Sequence, residues 1–153
     1  MIKKYLQENK ISEILDIIFF TLMLLATFLK GITIKSVMSI SIPMPLYKIL
    51  CAHILIITAT IGIILSILLI KDVINEKYEK CKCIIVTINI IILIYISFQA
   101  ENIVLSKRYV NYSFEIGYYL SLILNILLLF KQIIRNKIIC DKKYNYKEIP
   151  KID

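Results

Sequence analysis

The segment 49–70 constrains this chain more than any other feature, because it runs for 22 residues without Asp, Glu, Lys or Arg. A helix needs about 20 apolar residues to cross the roughly 30 Å of hydrocarbon in a bilayer. Three further apolar blocks lie at residues 14–28, 83–100 and 116–130, and the charged residues are gathered between the blocks. The chain is 59% hydrophobic, more than a soluble domain of this size could bury. The sequence therefore predicts an integral membrane protein.

The blocks predict helices and not barrel strands, because they are apolar on every face. Membrane strands would be about 10 residues long and would alternate apolar with polar residues. We predict an all-α membrane protein with a bundle of four transmembrane helices at about residues 14–34, 49–70, 83–100 and 114–134. The first and last spans reach this length only if Lys30 and Lys131 extend their ammonium groups to the headgroups. We treat residues 1–153 as one domain.

The distribution of basic residues predicts the orientation. Fourteen of the nineteen Lys and Arg residues lie in the N-terminal tail, in the loop between the second and third blocks, and in the C-terminal tail. Basic residues favour the cytoplasmic side, so we predict a multi-pass protein of the cell membrane with both termini inside. Residues 135–153 form a basic cytoplasmic tail, which attracts anionic lipids at the inner face.

Four charged residues agree with this orientation. We predict that Glu13 and Asp16 lie in the first turn of the first helix, where the helix dipole favours carboxylates. By the same argument, Lys131 and Arg135 close the fourth helix.

The two outer loops are expected to have structure of their own. Residues 32–42 alternate apolar residues with Thr and Ser, a pattern typical of strands, and the second loop, residues 101–112, has several apolar and Tyr side chains. We expect both loops to be partly extended, either paired as a small β-sheet over the helices or lying along the membrane as coil. The partner-binding candidates in these loops are Pro43, Met44, Pro45, Lys107, Arg108 and Tyr109.

Four polar residues in or beside the spans are predicted to be buried. Asn89 and Asn125 fall near mid-membrane, where side-chain hydrogen bonds between helices contribute about 0.6 kcal/mol on average. His53 and Glu115 fall near the outer boundary and could pair with each other. The alternative role for the mid-membrane residues is a polar pathway for an ion or small solute. Gly62 and Gly117 are expected to allow close approach of helices.

The motifs that the sequence lacks limit its function. It contains no glycine-rich phosphate loop, no zinc motif and no nucleic-acid-binding motif. We therefore expect a protein that is not an enzyme, has no cofactor and binds no nucleic acid. The four cysteines are expected to be free thiols, and Cys81, Cys83 and Cys140 to be cytoplasmic.

Two hypotheses about function follow. In the first, the protein acts by contact with a protein partner or toxin, as an immunity protein against a membrane-active toxin or bacteriocin, or as an accessory subunit of a membrane complex. In the second, it is a holin-like or oligomeric pore or transport element. The sequence leaves homo-oligomerisation open.

Overall fold

A computed structural model describes the backbone of residues 2–36, 41–49, 51–71, 73, 78–106 and 109–145, and the side chains of 10–35, 41–49, 51–71, 73, 78, 80–101 and 111–135. These residues form four α-helices and three β-strands, and a short 3-10 helix at Leu46–Lys48 leads into the second α-helix. In chain order the elements are α1 (Ile2–Ala26), β1 (Lys30–Ser36), β2 (Ser41–Pro45), α2 (Ala52–Ile70), α3 (Glu79–Ser106), β3 (Tyr109–Phe114) and α4 (Ile116–Asn145).

The helices form a bundle in which each helix packs against the next and α1 packs against α4. Three helices contain segments long and apolar enough to cross a membrane, namely Ala52–Ile70, Lys80–Glu101 and Ile116–Arg135. α1, which carries Lys10, Glu13 and Asp16, is not among them. The predicted set of four helices is thus confirmed, and three of the four are able to span a bilayer by length and composition.

The three strands form an antiparallel sheet at one end of the bundle, in the order β2-β1-β3. Alternate residues of a strand face opposite sides, and Ile32 and Ile34 of β1 are buried against the helices. Their cross-strand neighbours Met44, Tyr112 and Phe114 pack into the same core. Of the two alternatives for these loops, a small sheet or a coil along the membrane, the structure has the sheet.

The core has two parts. One part lies under the sheet and includes Leu46, Leu55, Leu93 and Tyr118, and the other lies deeper in the bundle around Phe20. Helix α2 approaches α1 closely at Gly62, where an added Cβ would lie 2.6 Å from the Phe20 ring. This contact confirms the predicted role of that glycine.

Gly117 has a similar role at the sheet end. A Cβ there would lie 2.8 Å from the carbonyl oxygen of Lys30, so the start of α4 can meet the end of α1 only with glycine at this position.

Four predicted boundaries differ from the structure. The helical extension of the first span to residue 34 is absent because α1 ends at Ala26 and Lys30–Ser36 is a strand, as the alternation of Ile32 and Ile34 favours. Residues 101–106, assigned to the second outer loop, continue α3. Phe114 ends a strand and does not begin the fourth helix, and the tail begins as a continuation of α4 to Asn145.

Candidate functional sites

Charged side chains meet inside the bundle at the end opposite the sheet. We call this group the charge cluster; its members are Glu13 and Asp16 of α1, Lys82 of α3, and Lys131, Gln132 and Arg135 of α4. Lys82 and Asp16 are fully buried and Glu13 is 2% exposed. The Lys82 ammonium lies between the two carboxylates, with its Nζ 2.6 Å from Glu13 Oε2 and 2.6 Å from Asp16 Oδ2.

Helix α4 provides the remaining donors of the charge cluster. Arg135 Nη1 donates to Glu13 Oε1 over 2.6 Å, and Gln132 Nε2 donates to Asp16 Oδ2 over 2.9 Å. Lys131 Nζ donates to Asp16 Oδ1 and to the carbonyl oxygen of Ser12. Buried charges are tolerated when they are paired and hydrogen-bonded, and here each carboxylate is paired with cations from two other helices. The cluster therefore connects α1, α3 and α4.

The predicted helix-dipole role of these charges is wrong. Because α1 begins at Ile2, Glu13 and Asp16 lie near its middle, and its first turn contains no acidic residue. Lys131 and Arg135 are followed by ten further residues of α4. The sequence spacing does indicate part of the cluster. Glu13 and Asp16 are three residues apart, and Lys131 and Arg135 are four apart, so each pair shares one face of its helix. That signal predicts two charged faces but does not reveal that Lys82 joins them.

A neutral polar layer lies in the middle of the bundle. The structure fully buries both Asn89 and Asn125. Thr58 Oγ1 lies 2.5 Å from Asn89 Oδ1, which joins α2 to α3, and Asn125 Nδ2 donates to the carbonyl oxygen of Ser121 over 2.8 Å. Asn89 Nδ2 and Asn125 Oδ1 have no partner among the described residues.

An apolar layer separates this polar layer from the charge cluster. Phe20, Val86 and Leu128 are each fully buried and belong to one core group. On its own helix, each of the three lies about one turn from a charge-cluster residue, since one turn is about 3.6 residues. The buried polar side chains are therefore divided into separate layers.

His53 is not the buried polar group that we predicted. It is exposed on α2, because Ala52 and Leu55 occupy the inward-facing positions. Glu115 is half-buried, and its Oε1 lies 3.5 Å from Ser113 Oγ, which is a long contact. Its backbone N–H donates to Gly31, which extends the pairing of β3 with β1.

The predicted partner-binding residues fall on and beside the sheet. Pro43 is exposed, and Met44 and Pro45 are half-buried in β2. Tyr109 begins β3, while Lys107 and Arg108 lie outside the described residues.

The sheet face that points away from the helices is mostly polar. It carries Thr33 and Lys35 of β1 and their cross-strand neighbours Pro43, Asn111 and Ser113. Most apolar and aromatic side chains of the described strands face the other way and pack into the core, but Ile42 of β2 is 43% exposed.

Both edges of the sheet are protected against pairing with a further strand. The Leu46 N–H donates to the carbonyl oxygen of Leu29, so the amides at even-numbered positions of this segment point toward β1. The amides at positions 43 and 45 therefore face the open edge of the sheet. Both positions are proline, which has no N–H to offer a further strand. On the opposite edge, the outward N–H of Tyr112 donates to Asn111 Oδ1 over 2.8 Å. Proline and side-chain caps of this kind hinder edge-to-edge association.

The described residues include no group of three His, Cys, Asp or Glu side chains placed to hold a metal ion. The described cysteines, Cys51, Cys81 and Cys83, are free thiols. Comparison with protein families, curated proteins and solved structures finds no match to this chain.

Proposed function

We propose that this chain is a multi-pass protein of the cell membrane that crosses the bilayer four times, with both termini and the charge cluster on the cytoplasmic side. Three helices are long and apolar enough to span. The carboxylates of α1 are paired inside the bundle with Lys82, Lys131 and Arg135, which removes the main objection to α1 as a fourth span. Fourteen of nineteen basic residues lie on the side proposed to be cytoplasmic.

This topology has a direct test in thiol labelling. An impermeant maleimide applied to intact cells should leave Cys81, Cys83 and Cys140 unmodified, whereas the same reagent after permeabilisation should reach Cys140 in the tail. A cysteine introduced at Thr33, on the exposed side of the sheet, is the matched control and should react from outside. Labelling of Cys140 in intact cells contradicts the proposed orientation.

Within this topology, we propose that the protein acts by contact with a protein partner and is not an enzyme. The partner is a membrane-active toxin or bacteriocin that the protein neutralises, or a larger membrane complex to which it belongs. The observation that supports contact is the folded sheet at the proposed outer end, whose outward face presents Thr33, Asn111 and Ser113. Because its edges are protected, we propose that the partner binds this face and does not add a strand.

A holin-like or oligomeric pore is the alternative, and the apolar layer argues against a polar path through the interior of a single bundle. A pore needs a continuous path lined by polar groups. Here Phe20, Val86 and Leu128 lie between the Asn layer and the charge cluster, and all three are fully buried. The buried Asn side chains then serve as hydrogen-bonding groups between helices.

The experiment compares two sets of substitutions in the native host. Set one, Thr33→Arg with Ser113→Arg, changes two cross-strand neighbours on the outward face; set two, Asn89→Leu or Asn125→Leu, changes the middle layer. We expect set one to abolish toxin protection or assembly with the partner at unchanged membrane expression, and set two to leave both largely intact. Membrane leakage that follows set two, with set one fully active, contradicts the contact proposal and supports the pore.

A further inference from the structure

The charge cluster is open on one side. The side chains of Lys131 and Arg135 are 21% and 11% exposed, whereas those of Glu13 and Asp16 are 3% and 0% exposed. The cluster therefore presents its cations to the surface between α1 and α4 and keeps its carboxylates inside. We call this surface between α1 and α4 the groove. A charged ligand that approaches the groove meets the positive groups of Lys131 and Arg135 first.

The exposed charged side chains that the structure describes at this end of the bundle are basic. They are Lys10 on α1, Lys71 directly after α2, and Lys80 on α3, so only Lys10 lies on a helix of the groove. Two exposed apolar residues also lie on the helices of the groove. Ile11, beside Ser12, is 53% exposed, and Ile134, one turn beyond Lys131, is 59% exposed. The groove thus joins cationic groups to an exposed apolar surface.

Lys131 has hydrogen-bonding capacity for a ligand. An ammonium group has three N–H donors, and within the described structure two of them serve Ser12 and Asp16. The third has no partner among the described residues, and the side chain is 21% exposed. Phosphate oxygens are suitable acceptors, because hydrogen bonds between charged groups are among the strongest in proteins.

From these observations we propose that the groove between α1 and α4 is a binding site for an anionic phospholipid of the cytoplasmic leaflet, with its phosphate on Lys131 and its acyl chains along Ile11 and Ile134. A phospholipid matches both parts of the groove, whereas a soluble anion matches only the cationic part. The proposal rests on the membrane topology above but not on the proposed partner contact. It differs from general attraction to the basic tail because it assigns one lipid phosphate to one residue of the folded bundle, Lys131.

The test uses the purified full-length chain in an uncharged detergent and counts bound lipid by native mass spectrometry. Phosphatidylglycerol should bind in preference to phosphatidylcholine. Lys131→Gln should weaken phosphatidylglycerol binding roughly fivefold, which corresponds to the loss of one basic group near a lipid surface. Lys71→Gln is the matched control, since it removes one charge at the same end but on α2, and it should change binding less than twofold.

Two further variants keep the test decisive if Lys131→Gln folds poorly. Lys131→Arg retains the charge and should retain binding. Glu13→Gln removes a buried carboxylate and should raise the affinity for phosphatidylglycerol, because the cluster becomes more positive. An affinity that falls in Glu13→Gln contradicts the proposal.

Other outcomes also decide it. Equal losses in Lys131→Gln and Lys71→Gln indicate general electrostatic attraction and overturn the site, as does equal binding of phosphatidylcholine. Displacement of the lipid by low concentrations of inorganic phosphate shows a soluble-anion site instead. The pair Thr33→Arg with Ser113→Arg should bind lipid normally even if it loses the partner, so a failure of either proposal can be recognised separately.

Discussion

The two ends of this bundle are stabilised in different ways. At the sheet end the chain uses backbone hydrogen bonds and small neutral side chains, and most of its described apolar strand residues pack onto the helices. At the charge end it uses ionised side chains from three helices, paired in the interior around Lys82. The outward side chains of the sheet make few described contacts with the rest of the molecule, whereas most groups of the charge cluster are paired with one another. Stability should therefore be most sensitive to substitution at the charge end, and partner recognition at the sheet end.

Loss of Lys82 should have the largest effect on stability. Lys82→Met leaves Glu13 and Asp16 buried without their shared cation, and removing one partner of a buried ion pair costs about 3–5 kcal/mol. The free energy of unfolding, measured by denaturant titration in detergent, should fall by that amount. Lys71→Met, an exposed control, should change it by less than about 0.5 kcal/mol.

The triple variant Lys82→Met, Glu13→Gln and Asp16→Asn separates pairing from packing. Replacement of buried ion pairs by neutral residues is often close to neutral, and the two cations that remain, Lys131 and Arg135, are partly exposed to solvent, so the triple variant should recover part of the lost stability. If Lys82→Met is as stable as the unmodified chain, the cluster does not hold the three helices together.

A substitution at the sheet end should have a smaller effect that stays local. Gly31→Ala places a Cβ 2.8 Å from the Leu46 Cα, and overpacking of this kind typically costs about 1–3 kcal/mol. Hydrogen exchange should speed up in β1 and β2 and remain slow in α3 around Lys82. Faster exchange throughout the bundle instead shows that the two ends are coupled.

The middle layer should be less sensitive than the charge cluster. Asn89→Leu removes the contact with Thr58 and a buried amide whose Nδ2 has no partner among the described residues. We expect a loss of at most about 2 kcal/mol. Thr87→Leu, at an exposed position two residues away on α3, is the control and should have little effect. If Asn89→Leu lowers the free energy of unfolding as much as Lys82→Met does, the middle layer is as important for stability as the charge cluster, which contradicts this expectation.

The features that sequence predicts well are those with a local physical cause. The block 49–70 predicts α2 to within a few residues because an unbroken apolar run needs no knowledge of its neighbours. The alternation at Ile32 and Ile34 favours a strand for the same reason, although it does not reveal that β3 pairs with β1. Because the Glu13 and Asp16 cluster depends on Lys82, 66 residues away from Asp16, no local pattern predicts it.

The positions of single polar residues show the same limit. His53 is exposed because Ala52 and Leu55 lie on the inward face, and which face of an apolar helix turns inward is set by packing. The buried Asn89 lies on the same side of α3 as Val86 and Leu93, both fully buried. Sequence predicted a buried Asn89, but the hydroxyl of Thr58 as its neighbour is known only from the structure.

The smallest effect on stability should come from the outward face of the sheet, and it is the most informative about function. Thr33→Ala with Ser113→Ala shortens two cross-strand neighbours on a face that has no described contact with the helices, so the free energy of unfolding should change by about 0.5 kcal/mol or less. If the protein acts by contact, the same pair should weaken binding of the partner, because each lost hydroxyl leaves a buried polar group of the partner unsatisfied, at about 1–3 kcal/mol. Unfolding and co-purification of the partner should be measured on the same variant, with Thr60→Ala, exposed on α2, as the control. Loss of binding at unchanged stability places recognition on the sheet, whereas parallel loss of both shows that the sheet is only a structural cap.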